Sequence, residues 1–136
     1  MKLRFAESKD IALLSQLNHE LIEDERAPNP MSIDELNQRM TTWLEGDYRA
    51  VIFELESSDV AYALYREEKD GLYLRQFYVV RDRRRQGIGQ TAIELFREQV
   101  VGSGQTLTLE VFSHNETGIV FWRALGFQEH SIAFRI

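Results

Sequence analysis

The segment Arg81-Asp82-Arg83-Arg84-Arg85-Gln86-Gly87-Ile88-Gly89-Gln90 sets four arginines within five residues and follows them with two glycines. In a chain of 136 residues with a formal net charge of −6, this is a local positive site. Glycines at 87 and 89 remove Cβ atoms where a helix begins, so unpaired backbone N–H groups and the positive end of the helix dipole can approach a phosphate. The chemistry is that of a polyphosphate site. Spacing separates the phosphate motifs that compete here. A P-loop needs a lysine directly after its last glycine, and none follows. Gly87-Ile88-Gly89-Gln90-Thr91-Ala92 fits the G-x-G-x-x-A dinucleotide pattern, with Glu110 about 20 residues on, where a ribose-binding acid belongs. That pattern, however, joins the strand to its first glycine at once, whereas Arg81 to Gln86 intervene here after Val80.

The elements that must position this loop follow from periodicity. Ile11, Leu14, Leu17 and Leu21 predict a first helix over residues 8–24, with Ser8 as its cap. After the turn-rich Ala27-Pro28-Asn29-Pro30, Ser32 and Glu35 have capping-box spacing for a second helix that ends near Gly46. From Tyr48 the period becomes two, predicting a hairpin that breaks at Ser57-Ser58-Asp59. Beyond the turn at Asp70-Gly71, a longer strand runs from Leu72 to Val80. A helix through Ile88, Ala92, Leu95, Phe96 and Val100 and a strand from Thr106 to Phe112 complete a strand-helix-strand unit, whose strands are expected to be parallel neighbours. A last helix is expected from about Asn115 to Leu125, and a terminal strand from Phe127.

Arg84-Arg85-Gln86-Gly87-Ile88-Gly89 is an intact Gln/Arg-x-x-Gly-x-Gly/Ala pattern, and with it the sequence resembles the GNAT superfamily of acyl-CoA-dependent N-acetyltransferases. Asn115 to Phe127 is similar to that family's N-x-x-A-x-x-x-Y-x-x-x-G-F segment, with Gly118 at the alanine position and Trp122 at the tyrosine position. The resemblance covers Leu72 to Phe127 closely and the first 70 residues only in the order of elements. It implies one domain over 1–136, an α/β fold with a mixed, mostly antiparallel sheet of six or seven strands, and helices on both faces. It also implies acetyl-CoA as cosubstrate and a small-molecule or protein amine as acceptor, with family habit pointing to a homodimer. Cofactor contacts are expected from Phe77, Tyr78 and Val79 on the long strand, from Arg84, Arg85, Gln86, Gly87, Ile88, Gly89 and Gln90 in the loop, and from Asn115 and Trp122. Many relatives use the tyrosine hydroxyl to protonate the departing thiolate; the Trp122 indole N–H does not give up its proton near neutral pH. A binding module of little catalytic power is therefore the alternative to an enzyme.

Acylating an amine requires a base, because alkylammonium groups titrate near ~10. Glu110 is the first candidate, on the strand face opposite Leu107, Leu109 and Val111, and it equally suits a solvent-facing charge. Tyr78 is the candidate substitute acid, and His114 a weaker one. Arg75, inside an apolar strand, could meet an acidic group of the substrate, but an ion pair with Glu110 is the favoured expectation. Glu23, Asp24 and Glu25 could attract a cationic amine, with a solvated helix end the favoured account.

Composition narrows the class. There is no cysteine, which excludes thiolate catalysis, disulfides and cysteine-held zinc. His19, His114 and His130 lack ligand spacing, so no metal is expected. The acidic balance argues against nucleic acid as a partner, and the lack of a long apolar run argues against a signal peptide or membrane span, leaving a cytoplasmic location as the expectation.

Overall fold

The structure, a computed structural model, describes residues 1–28 and 30–136. The chain opens with strand β1 (Lys2–Phe5), which the sequence did not suggest because four residues offer too little alternation. Ser8 does not cap the first helix: it lies in a 3-10 turn, Ser8–Asp10, that leads into α1 (Ile11–Glu25). Asp10 organises this start instead, accepting from the Glu7 amide at 2.8 Å and from both terminal nitrogens of Arg4 at 2.9 and 3.0 Å. The Asp10 side chain is buried, so the fork-to-carboxylate geometry satisfies a charge that water no longer reaches. The expected turn at Ala27–Pro30 includes Asn29, which lies outside the described residues. Helix α2 (Ile33–Glu45) starts as expected: Ser32 Oγ accepts from the Glu35 amide at 3.1 Å while Glu35 Oε1 accepts from the Ser32 amide at 3.0 Å.

There follow β2 (Tyr48–Leu55), β3 (Ser58–Glu68), β4 (Gly71–Val79), α3 (Ile88–Gln99), β5 (Thr106–Leu109) and α4 (Glu116–Ala124). The sheet order is β1-β2-β3-β4-β5, antiparallel throughout except for β4 and β5, which run parallel as the strand-helix-strand unit required. A single parallel pair removes the doubly wound sheet that the dinucleotide reading needed. The described strands number five rather than six or seven, because the segment after Phe127 pairs with nothing. The terminal strand expected from Phe127 does not form, and Ile132 and Phe134 stand 73% and 92% exposed. The edge it would meet, β5, is only four residues long and offers a short ladder.

Both sheet faces are covered. That is why β3 buries six successive residues, Val60 to Tyr65, rather than alternating. On one face Val51, Phe53, Ala61, Ala63, Leu72 and Leu74 pack against Ile88, Ala92, Ile93 and Phe96 of α3, with Phe121 and Trp122 of α4 beside them. On the other, Ala50, Ile52, Tyr62, Leu64 and Tyr78 pack against Leu14 and Leu17 of α1 and Met40 of α2. Among the described residues no helix is long and apolar enough to cross a membrane.

Candidate active site

The site grows from a parting of two strands. β4 pairs with β5 from Gly71↔Thr106 to Leu74↔Leu109, and there the ladder stops. From Arg75 to Val79 the backbone edge of β4 faces no strand, so its polar groups line an open cleft. On the other side of β4 the register jumps from Leu64↔Gln76 to Tyr65↔Leu74, which makes Arg75 the extra residue of a β-bulge at the mouth of the cleft.

The loop at the far end of β4 closes the cleft. After a 3-10 turn, Arg81–Arg83, the backbone turns left-handed at Arg85, with φ 61°, and again at Gly87, with φ 74°, where it enters α3. The first helical bond runs from the Thr91 amide to the Gly87 carbonyl at 3.1 Å, so the amides of Ile88, Gly89 and Gln90 have no backbone acceptor among the described residues. Three unpaired N–H groups at a helix start form an anion cradle, flanked by the exposed side chains of Arg85 and Gln86. Ile88 turns inward to the core, and the Gln90 side chain donates to Glu94 at 3.1 Å.

Arg84 points elsewhere. Its Nη2 donates to Asp24 at 2.6 Å, its Nε to the Val79 carbonyl at 3.1 Å, and its guanidinium lies 4.9 Å from the Tyr78 ring centre. Arg81 donates to Asp24 at 3.1 Å and to Glu23 at 3.2 Å. Glu23 and Asp24 are thus clasped to the cationic loop rather than forming a solvated helix end. Burial alone would push the Asp24 carboxyl up, but the bonds from Arg84 and Arg81 outweigh it and hold it low.

Phe77 and Val79 turn toward α3 and α4, and Tyr78 toward α1. The Tyr78 hydroxyl donates to Glu20 at 3.0 Å; burial first, and that bond second, push it above its ordinary value. Trp122 packs among Phe77, Phe121 and Phe127, with ring centres 5.8, 4.8 and 5.2 Å away. Asn115 caps α4, its Oδ1 accepting from the Gly118 amide at 3.0 Å. A Cβ on residue 118 would lie 2.5 Å from Asn115 Nδ2, so an alanine there would need the Asn115 side chain to shift.

Glu110 stands just beyond β5 and accepts from the Tyr73 hydroxyl at 2.8 Å. Burial and this bond push Tyr73 up to about 12, so it stays protonated and fixes the carboxylate. The ion pair expected between Arg75 and Glu110 does not form, because the ladder ends one residue earlier and the bulge turns Arg75 away. Arg75 meets Tyr48 and Trp43 instead. Glu25 is half-buried, and burial raises its carboxyl above the ordinary value despite His114, which donates from Nε2 to the Glu25 carbonyl at 3.3 Å. The bulge and the convergence on Trp43 escaped the sequence, since neither follows from spacing within one element.

The geometry agrees with the comparisons. Over residues 14–127 the chain matches the model of the acetyltransferase (GNAT) family. No curated protein sequence matches it. Among solved structures, a possible acetyltransferase from Clostridium difficile 630 superposes with a TM-score of 0.79 at 18% identity, covering 99% of this chain and 95% of that one. An aminoglycoside antibiotic 6'-N-acetyltransferase from Acinetobacter haemolyticus gives 0.72 at 18%, covering 100% and 97%. A predicted acetyltransferase with acetyl-CoA from Clostridium acetobutylicum gives 0.72 at 17%, covering 99% and 94%. With an amide cradle at the end of β4, an open edge beside it and a family model spanning both, the chain belongs to the acetyltransferase (GNAT) family.

Proposed function

We propose that this protein transfers an acetyl group from acetyl-CoA to a primary amine, carried by a small molecule or a protein, by direct attack within a ternary complex. The observation that carries this is the parting of β4 from β5 after Leu74 and Leu109, directly beside the free amides of Ile88, Gly89 and Gln90. An extended, amide-bearing chain ending in a pyrophosphate suits such a groove: the free edge of β4 from Arg75 to Val79 meets the amides, and the helix start meets the phosphates. Acetyl-CoA supplies the activated thioester carbonyl. The chain has no cysteine to form an acyl-enzyme, which favours direct transfer.

Glu110, held by Tyr73, takes the proton of the incoming amine directly or through water. Tyr78 is spoken for by Glu20 and holds its proton tightly, so water is the better source of a proton for the departing thiolate. Arg84 reaches the pyrophosphate only by leaving Asp24, whereas Arg85 forms no ion pair among the described residues.

The test is calorimetric titration with acetyl-CoA and with NAD, followed by CoA release across a panel of amines. Acetyl-CoA binding with amine-dependent release is expected; NAD binding would overturn the assignment, and acetyl-CoA binding without release from any amine would make the protein a binding module. Glu110→Gln is expected to lower kcat by roughly 100-fold while leaving acetyl-CoA affinity intact. Unchanged kcat removes Glu110 from the reaction.

A further inference from the structure

Several arginines in this acidic protein meet carboxylates: Arg4 meets Asp10 and Glu54, Arg66 meets Glu68, Arg81 meets Glu23 and Asp24, Arg84 meets Asp24, and Arg123 meets Glu129. Arg39 on α2 and Arg75 in the β4 bulge do not. Among the described residues no carboxylate comes within ion-pair distance of either. Yet both guanidiniums converge on one indole, lying 4.4 and 4.9 Å from the Trp43 ring centre.

Stacking on a ring holds a guanidinium by its face and leaves its N–H edge for a ligand. Arg39 donates one bond, from Nη2 to Asn18 Oδ1 at 3.0 Å, and its Nε is buried with no partner among the described residues. Arg75 donates one bond, from Nη1 to the Tyr48 hydroxyl at 3.3 Å. Two like charges brought together with so few acceptors repel each other, and burial followed by Arg75 lowers the Arg39 guanidinium below its ordinary value. An anion placed between them would relieve that repulsion and take up the unused donors.

The position matters as much as the charge. Arg75 is the first β4 residue past the last β4–β5 pair, so the two arginines stand at the mouth of the cleft on its α1–α2 side. An arginine pair suited to an oxyanion therefore flanks the entrance.

We infer that Arg39 and Arg75, braced on Trp43, bind an oxyanion carried by the acceptor itself, so that the substrate class is amines bearing a carboxylate or phosphate. This rests on the acetyl-transfer reading and narrows it.

The experiment compares matched acceptors: β-alanine with β-alaninamide for carboxylate, and O-phosphoethanolamine with ethanolamine for phosphate. A kcat/KM preference of at least about tenfold for one oxyanion-bearing member is expected, and the pair that shows it identifies the group. In Arg39→Ala and Arg75→Ala the ratio falls toward one, with acetyl-CoA affinity as the check on folding; Arg75→Lys, which keeps charge without the fork, restores part of it. Acetylation with no preference in either pair overturns the oxyanion site and leaves acetyl transfer standing. If no amine is acetylated, acetyl transfer fails and Trp43 fluorescence decides the site. A saturable change with β-alanine or O-phosphoethanolamine that disappears in Trp43→Phe and Arg39→Ala supports it, and no change overturns it.

Discussion

Gly87 and Gly89 belong to one motif and serve different ends. Gly87 has φ 74° and open space where a Cβ would stand, so its glycine answers to backbone handedness alone. A Cβ on Gly89 would meet the Phe121 ring at 3.0 and 3.2 Å, so that glycine lets α3 lie close against α4. The sequence shows two missing Cβ atoms at a helix start; which neighbour each one accommodates depends on a helix some thirty residues later. Gly87→Ala is expected to cost about 1–2 kcal/mol through its left-handed backbone, while retaining acetyl-CoA. Gly87→Glu, with similar strain, additionally sets a negative charge in the cradle and should weaken acetyl-CoA binding at least about tenfold by calorimetry. Equal affinity of the Glu and Ala variants would show that the cradle holds no pyrophosphate.

At the scale of elements, two starts illustrate what a sequence reveals. The box at Ser32 and Glu35 is local, three residues apart, and was legible; the start of α1 depends on Arg4 reaching Asp10 from β1 and was not. Most elements announced themselves by period, because their buried faces repeat at 3.6 or 2. β1 and the short β5 did not set their own bounds, since pairing partners define them. The strap between β1 and α1 has a pH signature. Arg4, by hydrogen bonding to it, holds the Asp10 carboxyl below the usual carboxylate range. The folded state therefore binds this proton less readily than the unfolded chain, and the stabilisation is complete above the unfolded value of about 3.9. It is lost as pH falls through the lower folded value. Asp10→Asn should destabilise by about 2 kcal/mol at pH 7, and urea titrations should show the gap to the parent protein closing below about pH 4. A gap independent of pH would mean that shape, not charge, matters at this position.

Across the whole molecule, the sheet separates two apolar layers, and on the proposed reading each layer brings one half of the chemistry. α3 with its preceding loop presents the amide cradle, while α2 presents Arg39 and Trp43. The architecture and the cradle could be read from pattern and resemblance, because the loop is contiguous. The proposed acceptor side could not, because Arg39, Trp43 and Arg75 come together only through a bulge and the packing of α2 across β4.

One contact spans both halves. Asp24 at the end of α1 takes bonds from Arg81 and Arg84 of the cradle loop. On the proposed reading, an incoming pyrophosphate competes for Arg84, and what it wins, Asp24 loses. The end of the acceptor-side helix is then bound more loosely whenever the cofactor side is filled. Occupancy on one side becomes information on the other, and thermodynamics makes the exchange symmetrical: whatever factor acetyl-CoA imposes on the affinity of the acceptor, the acceptor returns. In Asp24→Ala that factor should move toward one, measured as acceptor affinity with and without CoA, while the factor in the parent protein differs from one. On that reading each substrate registers the presence of the other before any bond is made, although nothing in the chemical step demands it.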